Sequence, residues 1–257
     1  MKKYLLSSSL LLISLVSFGQ WGSFDLTLGL PRNEFRENTD ATGFGADLSF
    51  GIPFQKGFPV SFGLDFNYIV YGSNTKDETL EAQITLANGT PIGDPIIIPL
   101  RIKNTNSIFG THALIRAQAP FELVQPYVEG LIGFRYISTN TKITDQSSDG
   151  RWSERDDQVI VRETVLDDWV FSYGYGGGFM IKVGPKFFID IRADFFKGER
   201  AKYFDGEDTE SWNIEFSGDP TNFDPDTVGG EALEFETVAR ESTTDLLMIK
   251  FGVAVKF

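Results

Sequence analysis

Eight stretches of the chain alternate apolar and polar positions with a period of two. Over residues 246–257, Leu247, Ile249, Phe251, Val253, Val255 and Phe257 fall on one face, against Met248, Lys250, Gly252, Ala254 and Lys256. Successive side chains of a strand point to opposite faces, so this stretch reads as a strand with one fully apolar face. The same reading predicts strands at 23–30, 43–52, 59–71, 109–119, 128–136, 169–183 and 189–195. In each, residues such as Phe24, Leu48, Phe62, Ile115, Phe134, Tyr175 and Ile191 oppose Gly, Ser, Asp and Arg. The pattern predicts an all-β protein.

These segments are close to the roughly 9–11 residues that a tilted strand needs to cross a bilayer. Their connections alternate in length. Short turns lie at 53–57, 120–125 and 184–186, and long loops at 31–42, 72–106, 139–168 and 198–243. Short turns on one side and long loops on the other are the habit of membrane barrels. The predicted fold is a single antiparallel transmembrane β-barrel of eight strands with extended extracellular β-hairpin loops, and an even strand number puts both termini on one side. Two loops carry hairpin signals of their own, at Asn88-Gly89 and around Asp149-Gly150. In the last loop Trp212, Ile214 and Phe216, then Leu233, Phe235, Thr237 and Ala239, alternate again. Closure of such hairpins into the wall would make ten strands. Aromatic residues near strand ends (Tyr68, Tyr71, Tyr136, Trp169, Tyr173 and Phe257) are expected as interfacial girdles.

The terminal Phe257, preceded by Phe251, Val253 and Val255, and the run Pro126-Tyr127-Val128-Glu129-Gly130-Leu131-Ile132-Gly133-Phe134-Arg135-Tyr136 resemble the small outer-membrane barrels of the OmpA/OmpX type, porin-family barrel domains, over nearly the whole length. The resemblance implies the outer membrane of a Gram-negative bacterium, periplasmic termini and extracellular long loops. It also implies contact with outer-membrane lipid and with the barrel-insertion machinery through the C-terminal strand.

The N-terminus agrees with export. Lys2 and Lys3, an apolar run from Leu5 to Val16 and Ser17-Phe18-Gly19 form a signal peptide over residues 1–19, with the barrel domain at 20–257. The run is too short for a membrane helix. Cysteine is absent, which removes disulfides and thiolate metal sites. The net charge of −13 includes the two leader lysines. Acidity of this degree excludes nucleic acid as a partner, which needs lysine and arginine stripes. Most of it comes from the last two long loops. Residues 198–243 hold thirteen acids against three bases, and 139–168 hold eight against four.

Asp47, Asp65, His112, Arg116, Glu129, Arg135, Lys182, Asp190, Arg192, Asp194 and Lys250 fall on the polar faces and are expected inside the barrel. An eight-stranded barrel leaves room only for side chains to fill, and isolated buried ions are costly, so these charges are expected to pair. His112, the single histidine, has no nucleophile near it in sequence and is expected as a hydrogen-bonded interior group. No hydrolase, metalloprotease, phosphate-loop or dinucleotide motif is present. Asp219, Asp224, Asp226 and Glu231 are suited to calcium but lack the spacing of the twelve-residue calcium loop, so no metal or cofactor is expected. The role that follows is non-enzymatic: a structural or surface protein whose acidic loops meet an extracellular protein or surface partner. A small pore and a lipid-modifying enzyme stand as alternatives.

Overall fold

The structure is a computed structural model. It describes residues 20–257 apart from 40, 56, 83–92, 94–95, 147–157, 207, 209–214, 217–232 and 235–237. The expected leader, the Asn88-Gly89 and Asp149-Gly150 turns, Trp212, Ile214, Phe235, Thr237 and the four candidate calcium ligands lie outside the described residues.

Period-two patterning produces strands β1 (Trp21–Pro31), β2 (Gly43–Pro53), β3 (Val60–Ala82), β4 (Ile96–Gln118), β5 (Val124–Asp145), β6 (Gln158–Lys182), β7 (Phe187–Gly198), β8 (Arg200–Tyr203), β9 (Glu215–Phe216), β10 (Leu233–Glu234), β11 (Arg240–Thr243) and β12 (Leu246–Lys256), with, among the described residues, one helix, α1 (Asn33–Asn38). Eight of them close a barrel in the order β1-β12-β7-β6-β5-β4-β3-β2, every neighbour antiparallel. Closure is made by the chain's two ends, from Trp21 opposite Lys256 to Pro31 opposite Leu246. The small strands pair only among themselves, β8 with β11 and β9 with β10, so the wall has eight strands and not ten.

The apolar face of every wall strand points outward. Phe24, Leu26, Leu48, Phe62, Ile132, Tyr175, Phe251 and Val253 are all exposed. An unbroken apolar belt this large has no place in water. A closed barrel, with no unpaired backbone edge in its wall, is one of two structures that can place it in lipid. The chain is a membrane-spanning barrel. Tyr68, Trp169, Tyr173 and Phe257 also face outward, as girdle residues do. Tyr71 does not. Alternation carries it inward with Asp65, Asn67 and Ile69, and its hydroxyl donates to the Phe204 carbonyl at 3.3 Å.

Two features exceed the expectation from patterning. β3 to β6 run for 23, 23, 22 and 25 residues, about twice the 11 of β1 and β2. β2 stops pairing at Phe44 opposite Val70, and β7 at Gly198 opposite Ser172. Beyond those points β3–β4 pairing continues to Ala82 opposite Ile96, and β5–β6 pairing to Asp145 opposite Gln158. Much of the expected loops 72–106 and 139–168 is therefore a four-stranded sheet standing above half of the wall. In the expected loop 31–42, α1 buries Phe35 completely, edge-on to Tyr203 at 5.1 Å and Tyr71 at 5.9 Å. Burial of one such ring contributes roughly 2–3 kcal/mol. With β8 and β11, α1 forms a lid over the long-loop end.

Candidate functional site

Inward alternation gathers the polar faces of all eight strands into one lumen. Asp47, Asp65, His112, Arg116, Glu129, Arg135, Asp190, Arg192, Asp194 and Lys250 are all buried there. Lys182 is not with them. It stands exposed at the last position of β6, where the strand has reached the short-turn rim.

Arg192 on β7 is the hub. Its Nη2 lies 2.6 Å from Asp47 Oδ1 and 3.0 Å from Asp25 Oδ2, and its Nη1 lies 3.1 Å from Glu129 Oε1 and donates to Ser49 Oγ at 3.1 Å. A planar guanidinium presents five donors in a rigid fork, so its geometry fixes where these partners sit. Lys250 on β12 takes the remaining oxygens: Asp47 Oδ2 at 2.6 Å, Asp194 Oδ2 at 2.9 Å and Asp65 Oδ2 at 3.3 Å. Toward the short-turn end Arg116 holds Glu129 at 2.6 Å and lies between two ring faces, Trp21 at 3.8 Å and Tyr127 at 4.0 Å. Tyr127 donates its hydroxyl to Asp190 Oδ1 at 2.6 Å. Toward the long-loop end Arg135 donates to the Thr244 carbonyl at 2.8 Å and sits over the Phe196 ring.

Apolar residues close this network at both ends. Trp21, Tyr127, Phe188 and Ala254 pack at the short-turn end, and Ile69, Phe35, Tyr203, Phe196 and Leu246 at the other. Charges of both signs, joined by short contacts and sealed from water, make a plug.

One arrangement in the plug invites a chemical reading. His112 Nε2 is 2.7 Å from Ser172 Oγ, and His112 Nδ1 is 3.8 Å from Asp65 Oδ1. This is the residue set and order of a hydrolytic triad. The geometry falls short of one. At 3.8 Å the carboxylate is beyond hydrogen-bond reach of the ring. The imidazole lies against Phe196 at 4.8 Å, and Ser172 is fully buried. A nucleophile must be approached by its substrate, and this one is walled in by the plug.

Sequence reasoning missed Asp25, Ser49, Ser172 and Tyr127. The signal was available for each, since all four continue the inward parity of their strands. Their contacts were not legible, because the partners lie on other strands.

Neither a protein-family model nor a curated relative matches the chain. Similar solved structures include Ail, the attachment invasion locus protein of Yersinia pestis, in complex with the heparin analogue sucrose octasulfate. It is 11% identical, covers 94% of this chain and 100% of its own, and has a TM-score of 0.37. Neisserial surface protein A is 12% identical, with 93% and 97% covered and a TM-score of 0.38. A major outer membrane protein from Thermus thermophilus is 13% identical, with 92% and 99% covered and a TM-score of 0.37. At these identities and scores the likeness says nothing about individual residues or activity.

Proposed function

We propose that the protein is an outer-membrane barrel of a Gram-negative bacterium with a structural, surface-interaction role. In this reading residues 1–19 are a cleaved leader, the termini are periplasmic, and the β3–β6 sheet and lid face outward to meet an extracellular protein or surface partner. The C-terminal strand ending in Phe257 engages the insertion machinery. One observation carries the reading: the lumen is filled and capped, while the β3–β6 sheet continues past the wall, on β3 from Val70 to Ala82. The part of the molecule left free to do work is therefore the projection. Its β3 edge is blunted by charge, with Lys76 2.5 Å from Glu78, and Asp77 2.7 Å from Arg101. That guards against indiscriminate strand pairing.

Planar-bilayer recording of the purified protein tests the closed lumen, and absence of discrete current steps is the expected result. Ion-selective steps would favour a pore and remove the basis of the proposal. Orientation is tested separately in intact cells. Because the chain has no native cysteine, Asp77→Cys should react with a membrane-impermeant maleimide, and a cysteine at Gln55 should not. The reverse pattern would invert the topology.

A further inference from the structure

At the short-turn end the barrel wall and two turns frame an open-mouthed cavity of about 290 Å³. Trp21, Phe58, Pro59 and Pro120 supply its apolar walls, and Gln125 and Lys256 its polar floor. The volume is close to the lower bound of known ligand sites, and mostly apolar walls with a few convergent polar groups are their usual make-up.

Lys256 is the unusual member. Its Nζ donates to Gln118 Oε1 at 3.1 Å and to Gln125 Oε1, both neutral oxygens. Among the described residues no carboxylate pairs with it. The acid nearest in influence, Asp190, is already engaged by Tyr127, and the nearby Arg116 is a second cation whose partner is Glu129. An ammonium has three protons to donate; the two amide oxygens account for two, and the other neighbour is the Phe188 ring, 5.1 Å from Nζ to centroid. A half-buried cation with neutral partners, beside an apolar pocket, has the electrostatics of a site waiting for an anion.

We propose that this cavity binds an amphipathic carboxylate: a monoanion on the Lys256 ammonium and the Gln side chains, with an apolar group against Phe58 and Trp21. A single primary ammonium matches one negative charge. A phosphate dianion on one ammonium would keep a second charge uncompensated against the apolar walls, and Arg116 is already committed to Glu129. The site lies at the opposite end from the projecting sheet and does not depend on what that sheet binds.

Trp21 lines the cavity and can report its filling. With Trp152, Trp169 and Trp212 replaced by Phe, the protein in zwitterionic nanodiscs would be titrated with N-acetyl-4-bromophenylalanine, whose bromine quenches indole fluorescence. The primary amide of the same compound and 4-bromobenzyl phosphonate serve as comparisons. Saturable quenching by the carboxylate is expected, with the amide about tenfold weaker or more, the loss of one charge-assisted hydrogen bond. Lys256→Met should abolish the difference between acid and amide, and Phe58→Ala should weaken both while leaving the difference in place. Equal quenching by acid and amide in the unmodified pocket would overturn the proposal, and this comparison needs no Lys256 variant to fold. Tighter binding of the phosphonate would overturn the assignment to a monoanion. Quenching that rises without saturation would show partition into lipid and no site.

Discussion

Lys250 on β12 reaches Asp47 on β2 at 2.6 Å across the intervening strand β1, joining residues 203 positions apart. The contact braces the barrel at the seam where its two chain ends meet, and it is one of three that the same ammonium makes.

This bracing has a measurable consequence. Buried lumen carboxylates (Asp25, Asp47, Asp65, Glu129, Asp190 and Asp194) outnumber the cations Arg116, Arg135, Arg192 and Lys250. Removal of a cation should therefore harm the fold more than removal of an acid. Lys250→Met is expected to destabilise the barrel by about 3–5 kcal/mol in urea unfolding from lipid vesicles, because it strands several buried charges. Asp194→Asn should cost less. The double variant should recover part of the loss, and strict additivity would show that the two side chains do not interact.

His112 on β4 and Ser172 on β6 meet across Gly133 on β5, which stands opposite both. A Cβ at Gly133 would run into the Thr111 carbonyl and lie 2.7 Å from His112 Cα. Gly133→Ala should destabilise the barrel by about 1–3 kcal/mol, as overpacking does. Gly22→Ala, where the nearest atom is 3.7 Å away, should be close to neutral in the same unfolding measurement. Equal effects would mean that the close approach at Gly133 does not constrain the fold.

Burial of Ser172 makes a prediction about reactivity. A fluorophosphonate that labels activated serines should leave the folded protein unmodified at Ser172, as mass spectrometry of its peptides would show. Labelling that vanishes in Ser172→Ala would reveal an accessible, activated nucleophile and reopen an enzymatic role.

The lid should loosen in acid. Glu34 on α1 accepts from the Thr243 backbone N–H at 3.2 Å and from Arg200 at 2.8 Å. The backbone donor first, then the guanidinium, holds its carboxyl below the usual glutamate value of 4.5. A carboxyl depressed by folding contributes stability that is fully present above its unfolded value and is lost as pH falls through the folded one. The α1–β11 contact is thus intact at neutral pH and weakens only below about pH 4.5. The protection factor of the Thr243 amide, its exchange rate relative to an unfolded chain at the same pH, should fall there, and Glu34→Gln should show the lower factor already at pH 7. A Thr243 protection factor unaffected by either change would remove Glu34 as the anchor.

The alternation of Leu247, Ile249, Phe251, Val253 and Val255 determined by itself that β12 is a strand with one face for lipid. Seven repetitions of that pattern determined a set of two-faced strands, because a period of two leaves a side chain only two faces to choose between, while the expectation of a membrane barrel also needed the leader, the terminal Phe257 and the aromatic residues at strand ends. The same parity placed Asp47, Asp65, Arg192 and Lys250 on one side, though it could not show that Lys182, the last residue of its strand, stands at the exposed rim. Nothing local in the sequence says which of these charges touch. Arg192 meets Asp25 and Asp47 because strand tilt and closure bring β7 opposite β1 and β2, a relation between strands far apart in the chain. The height of the β3–β6 sheet and the lid anchored by Phe35 were likewise decided in three dimensions. A strand continues past the membrane only where a neighbour supplies hydrogen bonds, and a helix as short as α1 forms only where a lid is needed to bury its one aromatic ring.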